Sequence, residues 1–192
     1  MKHTLAILVA LLAASPAAAH LPEGDYGSFL SGVTHPLFGL DHVLAMIAVG
    51  LWASQIGGRA LWAVPTAFVG AMVMGFLAAL AGLNLPFVET MIMASTMVLG
   101  LVVALALRPS PALAMGAVAV FALFHGHAHG SELGQAQAVQ FGVGFAIATA
   151  LLHAAGISVA FTAARETKGG AAMPLRVMGG ATALIGAFIT FG

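Results

Sequence analysis

Apolar runs long enough to cross a bilayer occur at about 37–56, 60–82, 86–107, 111–130, 138–161 and 174–191. A helix needs ~20 mostly apolar residues to traverse the hydrocarbon core. A helix also satisfies its own backbone where no water can do so. The chain is therefore predicted to be an all-α integral membrane protein, a compact bundle of six transmembrane helices. Composition agrees, with 61% hydrophobic and 6% charged residues and a mean hydropathy of +1.06. Soluble domains are typically about half apolar and a quarter charged.

Short breaks separate the runs, at Gly57 to Arg59, Gly82 to Asn84, Arg108 to Pro111, Ser131 to Gln137 and Arg165 to Met173. Pro36, Pro86, Pro111 and Pro174 fall at helix starts, where a missing N–H costs nothing. Pro65 falls inside the second run and predicts a kink or a later start. The 24 glycines predict close helix packing, with Ala71/Gly75 and Gly126/Gly130 as small-residue pairs. No internal repeat stands out.

Residues 1–19 read as a cleaved signal peptide. Lys2 and His3 precede a short apolar stretch from Leu5 to Ala14, and Ala17 to Ala19 offer a small-residue cleavage site. The stretch is too short to span. The mature domain is then 20–192, beginning at His20. Its basic residues lie in the odd-numbered connections: Arg59 in the first, Arg108 in the third, and Arg165, Lys168 and Arg176 around the fifth. Cytoplasmic loops are enriched in Lys and Arg. The expectation is a multi-pass protein of the bacterial inner membrane with both mature termini periplasmic.

Cysteine is absent, which removes disulfides and thiolate metal sites. Six basic residues balance six acidic ones, so no basic footprint for nucleic acid exists. The ionisable residues that remain are concentrated. His35, Asp41 and His42 stand at the first apolar run; His125, His127, His129 and Glu132 close the fourth. Ionisable groups inside a membrane are expensive and usually functional, at roughly 2.5–3.5 kcal/mol each on insertion scales. Imidazole with carboxylate suits borderline divalent ions such as nickel, zinc or cobalt.

Read as one helix, His35 and His42 share a face ~10 Å apart, at 1.5 Å per residue. His125, His129 and Glu132 form an i, i+4, i+7 stripe, with His127 pointing nearly the opposite way. The predicted topology puts both clusters in the outer half of the membrane at matched depths, where they converge. His153 lies deeper, ~22 Å from the outer end of its helix. It is either a relay ligand or a histidine bonded to a neighbouring helix. His20, beside Glu23 and Asp25, is a further chelating candidate. Glu89 in a first helical turn complements the helix dipole. Met91 and Met93 raise a copper(I) reading, but two positions apart on a helix they diverge.

HPLFGLDHVLAM, from His35 to Met46, resembles the signature of the HupE/UreJ family of nickel permeases, and FHGHAHGSEL, from Phe124 to Leu133, is similar to its second motif. The resemblance extends over the whole chain. It implies uptake of nickel, or cobalt, for hydrogenase or urease maturation proteins. His35, Asp41 and His42 match the first motif, and His125, His129 and Glu132 the second, with His127 between. Nothing in the spacing singles out nickel; that identity rests on the resemblance.

The leading expectation is a secondary permease, not an enzyme. It has no permanently bound cofactor, and its partners are the transported divalent ion and membrane lipid. A second copy of the chain remains open. A haem-binding redox subunit is the alternative, since histidines on two helices can hold haem iron. An intramembrane zinc hydrolase lacks an H-E-x-x-H motif. No nucleotide-binding motif is present, so ATP is not expected to drive this chain directly.

Overall fold

The computed structural model describes residues 27–134, 136–166 and 172–192. The signal peptide, His20, Glu23, Asp25 and Lys168 lie outside the described residues. Among those described, every regular element is a helix: α1 (Gly27–Phe38), α2 (Leu40–Ile56), α3 (Ala60–Leu80), α4 (Val88–Ala104), α5 (Pro111–Ser131), α6 (Ala138–Glu166) and α7 (Ala172–Phe191).

Four of these, α3, α5, α6 and α7, are long and apolar enough to cross a membrane. Helices α1 and α2 pass the same test only as a pair, bent by 82° at their junction. Helix α4 is apolar but, at 17 residues, shorter. The breaks are made as the residues dictate. Ser110 caps α5 by accepting the Leu113 amide at 3.4 Å, with Pro111 in the first helical position, where its fixed φ suits a helix. Pro65 is absorbed within a continuous α3; no later start occurs.

The 82° bend corrects the single-helix reading of the first run. Gly39, extended at φ −87° and ψ 112°, ends the coaxial path and caps α2. His35 therefore sits on α1, while Asp41 and His42 open α2. They do not share a helix face.

Helix α2 is buried on nearly all sides from Ala45 to Ala53. Such an all-round apolar helix belongs at the centre of a bundle. It packs against α6 and α4 and touches α1, α3 and α7, while α3 pairs with α5, α1 with α6 and α4 with α7. Four of these crossings are made at paired glycines. A Cβ on Gly75 would strike the Leu123 carbonyl, and one on Gly126 the Met72 carbonyl, across α3 and α5. Gly32 and Gly144 do the same for α1 and α6, Gly50 and Gly156 for α2 and α6, and Gly100 and Gly179 for α4 and α7. Where lipid tails are as apolar as leucine, such backbone proximity is a main source of helix association.

Two ends of the bundle differ in chemistry. At one, Trp52 donates to the Leu107 carbonyl at 2.8 Å and Arg176 to the Ala104 carbonyl at 2.8 Å; Arg59 stacks over Trp62. The other gathers the start of α2, the start of α4 and the end of α5, and with them the histidines.

Candidate metal centre

The site is assembled at the histidine end from α1, α2, α4 and α5. His42 is its hub. Asp41, in the first turn of α2, lies with Oδ2 3.1 Å from His42 Nδ1. The Asp41 backbone carbonyl accepts from Thr96 at 3.2 Å, tying this turn to α4. Gly39 leaves room for the pair, since a Cβ there would press on His42 Nδ1 at 2.9 Å and Asp41 Oδ1 at 3.0 Å.

From α5, His129 brings Nε2 to 2.7 Å from His42 Nε2. His125, one turn away, packs edge-on against the His42 ring at a centroid distance of 4.9 Å. From α1, His35 packs edge-on against His129 at 4.5 Å. Phe145 closes the other side of His129 at 4.4 Å, and Phe141 covers His35 at 5.7 Å. Four imidazoles from three helices thus meet in one apolar enclosure. His125 and His129 are fully buried within it.

Hydrogen-bond bookkeeping assigns the protons of the neutral site. The Asp41 carboxylate can only accept, so His42 donates from Nδ1 and keeps a bare Nε2. His129 must then donate from its own Nε2, which leaves its Nδ1 bare, and that atom is buried without a partner. Ser95 on α4 directs its hydroxyl proton to the Ile92 carbonyl at 2.6 Å. Its oxygen, 2.9 Å from His125 Nε2, therefore receives a proton from the ring. His125 Nδ1 is again buried and unpartnered.

Bare imidazole nitrogens held in place by a carboxylate or hydroxyl are how proteins prepare histidine for a cation. The four rings nevertheless do not converge on a single point. Among the described residues, no group of three or more His, Asp or Glu side chains stands ready to hold a metal ion. Two nitrogens ligating one ion at ~2.0–2.1 Å sit ~3 Å apart, so the 2.7 Å pair must open slightly to admit one.

Not every residue singled out in the sequence joins this group. His127 points away, as its spacing predicts, and pairs through Nε2 with the Leu83 carbonyl at 2.6 Å in the α3–α4 connection. Glu132 follows the last turn of α5 and is exposed. Partial burial and the nearby charge of Glu89 raise its carboxyl above the ordinary 4.5. The folded state then holds this proton more tightly than the unfolded one, so Glu132's contribution to stability is present below 4.5 and lost as pH rises through the raised value. A cation at this mouth would reverse that shift. His153 is buried apart from the four, beyond Phe68.

Ser95, Thr96 and the flanking phenylalanines went unread in the sequence. The only signal for Ser95 is two adjacent hydroxyls in the middle of an apolar run. Ser95→Ala should cost about 10-fold in divalent-ion affinity, because it frees His125 to change tautomer, while Ser95→Thr should retain most of it. Calorimetric titration of the purified variants checks this; an unchanged affinity in Ser95→Ala would discount the contact.

Residues 8–189 match the family model described as HupE / UreJ protein. The chain is 43% identical over 195 residues to Protein HupE of Rhizobium leguminosarum bv. viciae, with all of both chains covered. No solved structure matches.

Proposed function

The chain belongs to the HupE/UreJ family, and from that premise we propose that it is a secondary permease for nickel, or cobalt, in the bacterial inner membrane. One observation carries the reading: four imidazoles in mutual edge-on or tilted contact and the Asp41–His42 pair lie inside an otherwise apolar bundle. The pair α1–α2, together with α3 to α7, makes six crossings, with α4 accommodated by local thinning of the bilayer. Arg59, Arg108, Arg165 and Arg176 mark the cytoplasmic end. The histidine end then faces the periplasm, as do both mature termini.

The ion meets His35 and the Glu89/Glu132 mouth first, then the bare Nε2 of His42. For His129 to ligate through Nε2, its proton must move to its own Nδ1 or leave to water. Mixed imidazole and carboxylate ligands hold a cation firmly enough to admit it and loosely enough to release it. Delivery to hydrogenase or urease maturation proteins is part of the same proposal and rests on the family. The haem alternative fits poorly, since His42 and His129 face each other at 2.7 Å and no porphyrin passes between them.

The test is accumulation of radioactive nickel in cells and in liposomes carrying the protein, with cobalt, zinc and copper as competitors. Nickel uptake suppressed best by cobalt supports the reading; indifference to nickel in both systems refutes it. Acidity gives a second check. Metal binding needs neutral imidazole, so uptake should weaken on acidification as the site histidines are protonated; uptake that strengthens with acid would argue against histidine ligands.

A further inference from the structure

His153 has no evident structural reason to be a histidine. It sits on α6, 1% exposed, and both of its ring nitrogens lack a hydrogen-bond partner. A neutral imidazole always carries one N–H and one lone pair, so two polar atoms have been taken out of water with nothing in return. Leucine or phenylalanine would fill the same space without that cost. Native structures rarely keep such groups without a use.

Its position is specific. The ring lies edge-on against Phe68 of α3 at 5.0 Å. Phe68 in turn lies 5.9 Å from His125. One aromatic ring therefore separates His153 from the innermost histidine of the site, and the two imidazoles stand within about 11 Å of each other, the two ring separations laid end to end. Thr149, one turn along α6, turns its hydroxyl to Met72 Sδ at 3.6 Å and makes no hydrogen bond to His153. The backbone beneath is fixed, since the His153 carbonyl lies against Gly50 at the α2–α6 crossing.

We infer that His153 is a second cation-binding station, which receives the divalent ion from the His42/His125/His129 group on its way past Phe68. The inference rests on the permease reading above. A single imidazole completed by water molecules makes a weak site, suited to transit rather than storage. The series His35, His129, His42, His125, Phe68, His153 is a file of successive ring contacts. His153 stands at its far end.

The experiment compares the full-length wild type with His153→Leu and His153→Cys. It reads nickel binding to purified protein, nickel uptake into liposomes, and competition by cadmium. His153→Leu should bind nickel at the main site within about 2-fold of wild type while uptake falls about 10-fold or more. His153→Cys should regain part of the uptake, with competition shifted about 10-fold toward cadmium, because a thiolate prefers softer ions. Wild-type uptake in His153→Leu would overturn the assignment and leave the permease reading intact. Equal impairment of both variants with unshifted competition would overturn it too, making His153 a packing residue. Wild-type protein that neither binds nor moves nickel or cobalt would overturn both readings together.

Discussion

Replacing His42 or His129 by alanine should reduce nickel uptake at least about 100-fold at unchanged abundance in the membrane. Loss of a residue that merely orients a metal ligand typically costs about 10–100-fold, and the proposed permease would use these two as ligands themselves. His42 is the more damaging loss. It touches Asp41, His125 and His129 at once, so its removal strands the Asp41 carboxylate and unpairs His129 Nε2. The double variant should be scarcely worse than either single, because residues acting as one unit are not additive. His127→Ala is the internal control. Its ring secures the α3–α4 connection through Leu83, and uptake should fall no more than a few-fold, in line with the loss of one ordinary hydrogen bond at about 1 kcal/mol. The measurement is initial uptake rate normalised to protein in the membrane, beside calorimetric nickel binding. Normal rates in His42→Ala and His129→Ala would mean that ions travel elsewhere.

The second large effect concerns assembly. Gly126→Val should largely remove folded protein from the membrane. A Cβ at Gly126 meets the Met72 carbonyl and lies 2.9 Å from the Phe76 amide, both backbone atoms of α3. No rotamer change can relieve a clash with backbone, so α3 and α5 must separate along a crossing that Gly75 makes equally tight from the other side. Overpacking in a core usually costs about 1–3 kcal/mol, and here the helix that moves carries His125 and His129. Gly70 and Gly116 supply the contrast, since a side chain at either meets nothing within 4 Å. Gly70→Ala and Gly116→Ala should be neutral or stabilising, by up to about 0.5–1 kcal/mol from helix propensity. Thermal unfolding in detergent, followed by size-exclusion profile, ranks the three variants against wild type. A Gly126→Val protein as stable as wild type would show that the crossing tolerates more space than its backbone contacts allow.

Much of this architecture was legible because a bilayer enforces a coarse rule. The apolar runs lie close to α2 through α7, since span length is set by hydrocarbon thickness rather than by side-chain detail. The expected convergence holds for His35, His42, His125 and His129, whereas His127 and Glu132, grouped with them in the sequence, stand outside. The corner at Gly39 was not legible. A single extended residue in an apolar stretch leaves no periodicity signal, and Pro36 on α1 looks like an ordinary helix start. Glycine pairing was half visible: Gly75 and Gly126 stand out as small residues, but which glycines face each other depends on helix rotation. Ser95 was hidden because its role is defined by His125, a partner 30 residues away.

The bend at Gly39 has a mechanical meaning. The glycine crossings leave the rest of the frame stiff, since backbone in contact with backbone has no side chains to give way. His35 and His42 hang from opposite arms of a joint whose single connecting residue carries no Cβ. Both arms are nevertheless clamped to one helix, α1 to α6 at Gly32 and Gly144 and α2 to α6 at Gly50 and Gly156, so α6 acts as a jig that holds the spacing of the imidazoles across the corner.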